Sequence, residues 1–142
     1  MANQLRSAEG SQAEAQAAIE AAKAMVVQAE AELMVEQENL AEAMKIYDTA
    51  LDGGYNSDLL YSRAMLAEKM DRLDITEQDL RRIIDEEPDN AQALNALGYT
   101  LADKTNRYDE ANTLIDQALE LRLVARLQLG HGDEAPHHVA KV

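Results

Sequence analysis

The chain has 142 residues, 46% of them apolar and 4% aromatic, with two prolines and no Cys, Trp or Phe. This composition excludes disulfides and thiolate chemistry, argues against an aromatic-rich β-sandwich, and favours helix through its abundant Ala, Leu and Glu. The net charge of −14 excludes nucleic-acid binding through a basic stripe. Charge is uneven, with −7 over residues 1–56, −5 over 57–90 and −2 over 91–124. The acidic N-terminal half suits a plain solvated helix surface; the alternative is that it attracts a basic partner segment. No apolar run reaches the roughly 18 residues of a membrane span, and residues 1–23 lack the charged start and apolar centre of a signal peptide. The expectation is a soluble protein, cytoplasmic or periplasmic.

Caps and breakers predict six helices. Ser11 with Glu14 forms a capping-box pattern, which predicts an Ala-rich helix from there to about Gln37. Within it Ile19, Ala22, Val26, Ala29 and Leu33 alternate at spacings of three and four, an apolar stripe on one face. Ile19, Val26, Leu33 and Leu40 also recur every seven residues, which suits coiled-coil packing. Asn39 restarts the chain into a second helix with Ala43, Tyr47 and Ala50, ending at Gly53-Gly54. A third runs from about Ser57 to Met70. Asp74 and Glu77 cap a fourth, carrying Leu80, Ile83 and Ile84, which must stop before Pro88. Asp89-Asn90 caps the fifth, to about Lys104. The sixth starts near Tyr108, carries Ala111, Leu114, Ile115, Ala118 and Leu119, and runs on to about Leu129, where Gly130 and Gly132 stop it. The short connections make neighbouring helices antiparallel.

Small residues recur through this series. Ala31, Ala64 and Gly98 stand 33 and 34 residues apart, each followed in the next helix by a short residue, Ala43, Thr76 or Ala111. A period of this length marks a repeat array, whose units bury their faces by stacking on one another. Gly98, Ala64 and Ala111 are small because helices cross there at close range. Leu94, Leu97, Leu101 and Ile115 fill the space between two helices of one unit.

The stretch PDNAQALNALGYTLADKTNRYDEANTLIDQALEL (Pro88–Leu121) resembles a tetratricopeptide repeat. It carries the unit's features in order at Leu94, Leu97, Gly98, Leu101, Tyr108, Ala111, Ile115 and Ala118, with one extra residue in the turn. The preceding unit fits at Leu60, Ala64, Ala67, Leu73, Leu80, Ile83 and Pro88, but has Thr76 for the usual Ala and Arg63 for an apolar residue. The first unit matches mainly through NLAEAMKIYDTAL in its second helix. The resemblance implies an all-α, right-handed α-solenoid of antiparallel helix pairs. Three repeats span 24–56, 57–90 and 91–121, after a partly helical segment 1–23 and before a helical extension and tail, 122–142. Three units with a ragged first helix look like a piece of a longer array.

The resemblance places function on a concave groove lined by the first helix of each unit. The groove residues would be Met25, Gln28, Glu32, Val35 and Glu36, then Asp58, Tyr61, Met65, Glu68 and Lys69, then Gln92, Asn95, Tyr99, Ala102 and Asp103. Helical spacing agrees, since Tyr61 and Met65 share a face, as do Asn95 and Tyr99. Tyrosines, methionines and amides make a peptide groove; the alternative is that Tyr61 and Tyr99 cover joints between repeats. Some family members grip a C-terminal carboxylate with Lys, Arg and Asn. The matching positions here hold Gln28, Glu32, Tyr61, Met65, Gln92 and Ala96, so a basic or neutral protein segment fits better.

Nothing points to an enzyme, a metal or a cofactor. His131, His137 and His138 near Asp133 and Glu134 resemble a ligand set, but they sit in a Gly- and Pro-bearing tail with no scaffold to orient them. The expectation is a protein-interaction module binding a segment in the groove. The alternative is a self-assembling helical module joined through its ends, in particular residues 122–129, where Val124 and Leu127 extend an apolar stripe that no further unit covers. Whether 122–142 is an evolved element stays open.

Overall fold

The computed structural model describes residues 2–130. The protein is all-α. Among the described residues the elements are α1 (Ala2–Glu36), α2 (Leu40–Leu51), α3 (Ser57–Lys69), α4 (Leu73–Glu86), α5 (Ala91–Lys104) and α6 (Tyr108–Gly130), with no strand. The chain divides into two compact units, α1–α3 and α4–α6, and within each unit consecutive helices pack in the manner of a helical repeat.

Asparagine marks three of the helix starts. The side-chain oxygens of Asn39, Asn56 and Asn90 accept the N–H of Glu42, Leu59 and Ala93 at 3.3, 3.0 and 2.9 Å, each satisfying a donor that the first turn leaves unpaired. Asn56 and Asn90 stand 34 residues apart, so the cap follows the repeat period. One period earlier the chain has Ala22 and Lys23, neither a cap, and α1 runs through that point without a break. It also runs through Ser11, correcting the expected start. A capping box matters only where the preceding chain is not helical. Here the carbonyls of the preceding turn already accept those N–H groups.

Two helices end in the same way on residues that are not glycine. Glu38 (φ +59°) and Asp71 (φ +58°) are left-handed. At the first, Asn39 N–H reaches Met34 O at 2.8 Å and Glu38 N–H reaches Val35 O at 2.9 Å. At the second, Arg72 N–H reaches Ala67 O at 2.7 Å and Asp71 N–H reaches Glu68 O at 3.0 Å. Both are Schellman ends, in which the left-handed residue turns its own N–H and that of the next residue back to close the helix.

In the first unit α1 and α3 each pack on α2 and touch one another. Its core is Ala24, Ala31, Ala43, Met44, Tyr47, Leu59, Leu60, Ala64, Leu66 and Ala67. The predicted stripe of α1 is not the buried one: Ile19, Val26 and Leu33 are 48%, 57% and 49% exposed. The buried positions are Ala24 and Ala31, flanked by half-buried Val27, Gln28, Met34 and Val35. Close approach to α2 selects for small side chains, so the face that packs is the one poor in large aliphatic residues. Residues 2–23 are exposed throughout.

In the second unit α5 packs against both α4 and α6, most densely against α6. The unit's core includes Thr76, Leu80 and Ile83 from α4, Leu94, Leu97, Gly98 and Leu101 from α5, and Ala111, Leu114 and Ala118 from α6. Gly98 is the closest point. A Cβ placed there would lie 2.6 Å from Ile115 Cγ1 and 3.0 Å from the Ala111 carbonyl oxygen. Ala31, Ala43, Ala64, Thr76 and Ala111, the other small residues of the period, have no accessible surface. Asp79 is also buried, and no buried side-chain nitrogen or oxygen among the described residues lacks a partner. α6 continues past this core, and residues 122–129 are exposed.

Candidate binding cleft

The first unit encloses an open cleft of about 390 Å³. α1 contributes Glu32, Val35 and Glu36, α2 contributes Tyr47, and α3 contributes Tyr61, Ser62, Met65, Leu66 and Lys69. Glu32 and Glu36 are four residues apart and so share one face of α1, as Tyr61, Met65 and Lys69 share one face of α3. The walls are therefore apolar and aromatic, and two carboxylates and one ammonium stand around them.

A partly buried polar chain runs beneath the cleft. Gln28 Nε2 donates to Ser62 Oγ at 3.1 Å, and Ser62 is also hydrogen-bonded to the Tyr47 hydroxyl. Tyr47 is only 4% exposed. Burial raises its pKa, the bond with Ser62 opposes that rise, and the charge of Glu32 adds to it, so the phenol stays protonated and presents an O–H. Beside the cleft Arg63 donates to Asp48 at 2.8 Å, which explains how a half-buried arginine occupies a position where an apolar residue was expected.

The residues predicted to line a groove fall into two sets. Glu32, Tyr61, Met65 and Lys69 meet in the cleft, and Gln28 braces it through Ser62. Gln92, Asn95, Tyr99 and Asp103 form a row along α5 in the second unit. Gln92 and Asp103 are exposed, Asn95 is half-buried and Tyr99 is 61% exposed, while Asp103 lies 3.6 Å from Lys104. The sequence reading missed Tyr47 as a cleft wall. Its place on the apolar face of α2 was legible, but not the gap between α1 and α3 that it closes.

The sequence reading also missed a four-charge cluster in the second unit. Arg81 donates to Glu77 at 2.8 Å and to Glu110 at 3.0 Å, and Arg107 donates to Glu77 at 2.8 Å and to Glu110 at 2.6 Å. Glu77 thus joins α4 to the start of α6 and does not act as a capping residue. Burial pushes its pKa up, but Arg81 and Arg107 outweigh that and hold it below the ordinary value. Arg81 likewise holds Glu110 low, against a smaller effect of burial and with help from Arg107. Among the described residues no three His, Asp or Glu side chains cluster to hold a metal ion, and no helix is long and apolar enough to cross a membrane. The three histidines lie outside the described residues.

No protein-family model matches the chain. Over 82 residues, 58% of its length, it is 54% identical to the TPR repeat-containing protein PA4667 of Pseudomonas aeruginosa, of which it spans 13%. The repeat named there is the one that Pro88–Leu121 resembles.

Proposed function

We propose that this chain is a protein-interaction module, built of tetratricopeptide-like repeats at 24–56, 57–90 and 91–121, that receives a segment of another protein in the cleft between α1, α2 and α3. The observation that carries this reading is the cleft itself. Its volume of about 390 Å³ and its Tyr61 and Met65 walls suit the side chains of a peptide. Glu32 and Glu36 favour a basic or neutral segment over an acidic one. In the second unit, taken by itself, exposed Tyr99 with half-buried Asn95 on α5 offers a separate contact surface. The name of the Pseudomonas relative agrees with a repeat module, and the function is binding rather than catalysis.

Affinity capture from an extract of the source cells tests the reading, comparing the natural chain with Tyr61→Ala/Met65→Ala and, separately, Asn95→Ala/Tyr99→Ala. Circular dichroism establishes that each variant is folded. The expected result is a set of proteins retained by the natural chain and lost from the first variant. An empty set, or one unchanged in both variants, removes the cleft as the binding site.

A second reading, self-association through residues 122–129, is favoured by the exposure of Leu123, Val124, Leu127 and Leu129 on one short stretch of helix.

A further inference from the structure

Among the charged side chains with no ion-pair partner in the described residues are an acidic pair and a basic pair at the same spacing. Glu32 and Glu36 stand at the cleft, four residues apart on α1. Arg122 and Arg126 stand four residues apart on the exposed end of α6. At a rise of about 1.5 Å per residue, both pairs are spaced by about 6 Å. Beside the arginines runs a row of apolar side chains at the same interval, Leu119, Leu123 and Leu127, which are 55%, 54% and 49% exposed. Beside the glutamates lie Tyr61 and Met65. Charge sign, charge spacing and apolar content thus match between a cleft that is open and a helix segment that is bare.

We infer that the end of α6 of one copy docks into the α1–α2–α3 cleft of a second copy, with Arg122 and Arg126 against Glu36 and Glu32 and the leucine row against Tyr61 and Met65. The inference rests on the reading of the cleft as a receptor and names a second copy as one occupant. Arginine suits the role because its planar fork engages a carboxylate through two donors and its face packs on an aromatic ring. An amphipathic helix laid in a groove presents residues three and four apart as anchors. The contact is small, so association is weak and depends on concentration. The net charge of −14 on each copy opposes approach. At about 0.15 M salt, repulsion beyond about 8 Å is screened while charges in contact still pair.

Sedimentation equilibrium of the full chain tests this, at about 0.15 M salt and over a hundredfold range of concentration up to about 0.5 mM. The weight-average mass is expected to rise with concentration. It should stay at the monomer value for Arg122→Glu/Arg126→Glu and for Glu32→Arg/Glu36→Arg, and rise again when the two variants are mixed. All four side chains line a surface rather than a core, and circular dichroism checks that both variants fold. A natural chain that remains monomeric throughout overturns the inference. So does association unaffected by either reversal, or a mixture that does not associate. Loss of outside partners from Tyr61→Ala/Met65→Ala alongside a monomeric natural chain would leave the cleft reading standing and remove self-docking alone.

Discussion

Gly98 shows how one residue records a helix crossing. A methyl group there meets a side chain, Ile115, that can move, and a backbone oxygen, that of Ala111, that cannot. Replacing glycine by alanine inside a helix gains about 1 kcal/mol of propensity, whereas overpacking costs about 1–3 kcal/mol. Gly98→Ala is therefore expected to destabilise by roughly 1 kcal/mol, and Gly98→Leu by about 3 kcal/mol, as read from urea unfolding midpoints. A stabilised alanine variant would mean that α5 and α6 part without cost. Gly98 was legible in the sequence because smallness recurring at one period has few causes. Glu38 and Asp71 were not. Their left-handed backbone serves the helix ends, but nothing in the identity of Glu or Asp sets them apart from neighbouring acidic residues.

At the scale of the element, α1 shows two signals in competition. Its large aliphatic residues repeat at helical spacing and point to one face, while its alanines at 24 and 31 lie on the face that packs. Amphipathic periodicity assumes that burial follows hydrophobicity. Where backbones approach closely it follows size, and the recurrence of Ala31 with Ala64 and Gly98 was the better guide. The cap at Asn56 came to light in the structure, while helix boundaries at Asn39 and Asn90 were legible through cap chemistry. The link between α4 and α6 was not, because Glu77 meets Arg107 across 30 residues of chain. That link has a pH signature. The carboxyl groups of Glu77 and Glu110 titrate below their unfolded values. Their stabilisation is complete above the ordinary carboxylate value of about 4.3 and is lost as pH falls through the depressed folded values. Glu77→Gln is expected to cost about 1 kcal/mol or less at neutral pH, since the side chain is 29% exposed and solvent screens it. The gap between variant and natural chain should close in acid. Equal gaps at both pH values would show that packing, not charge, makes the contribution of Glu77.

For the whole molecule, net charge and local pairing respond to salt in opposite senses. A chain carrying −14 repels itself when folded, and shortening the screening length from about 10 Å at 0.1 M to about 3 Å at 1 M relieves that repulsion. The same salt weakens the four-charge cluster, but exposed pairs contribute little to begin with. The melting temperature is expected to rise with sodium chloride. A fall would mean that the cluster outweighs the diffuse repulsion. All-α architecture and the repeat period were readable at this scale because they depend on spacing alone. The cleft was readable only in part, since Glu32, Tyr61, Met65 and Lys69 follow from the resemblance to a known repeat, whereas Tyr47 enters from a third helix. The composition of that cleft also bears on how it can be observed. With no tryptophan and five tyrosines in the chain, intrinsic emission comes from tyrosine alone. Two of those five line the cleft, one buried with its hydroxyl engaged and one half open to solvent. A cationic or aromatic side chain entering beside them changes their surroundings directly. The molecule thus carries an unlabelled optical reporter at the place where occupancy is in question.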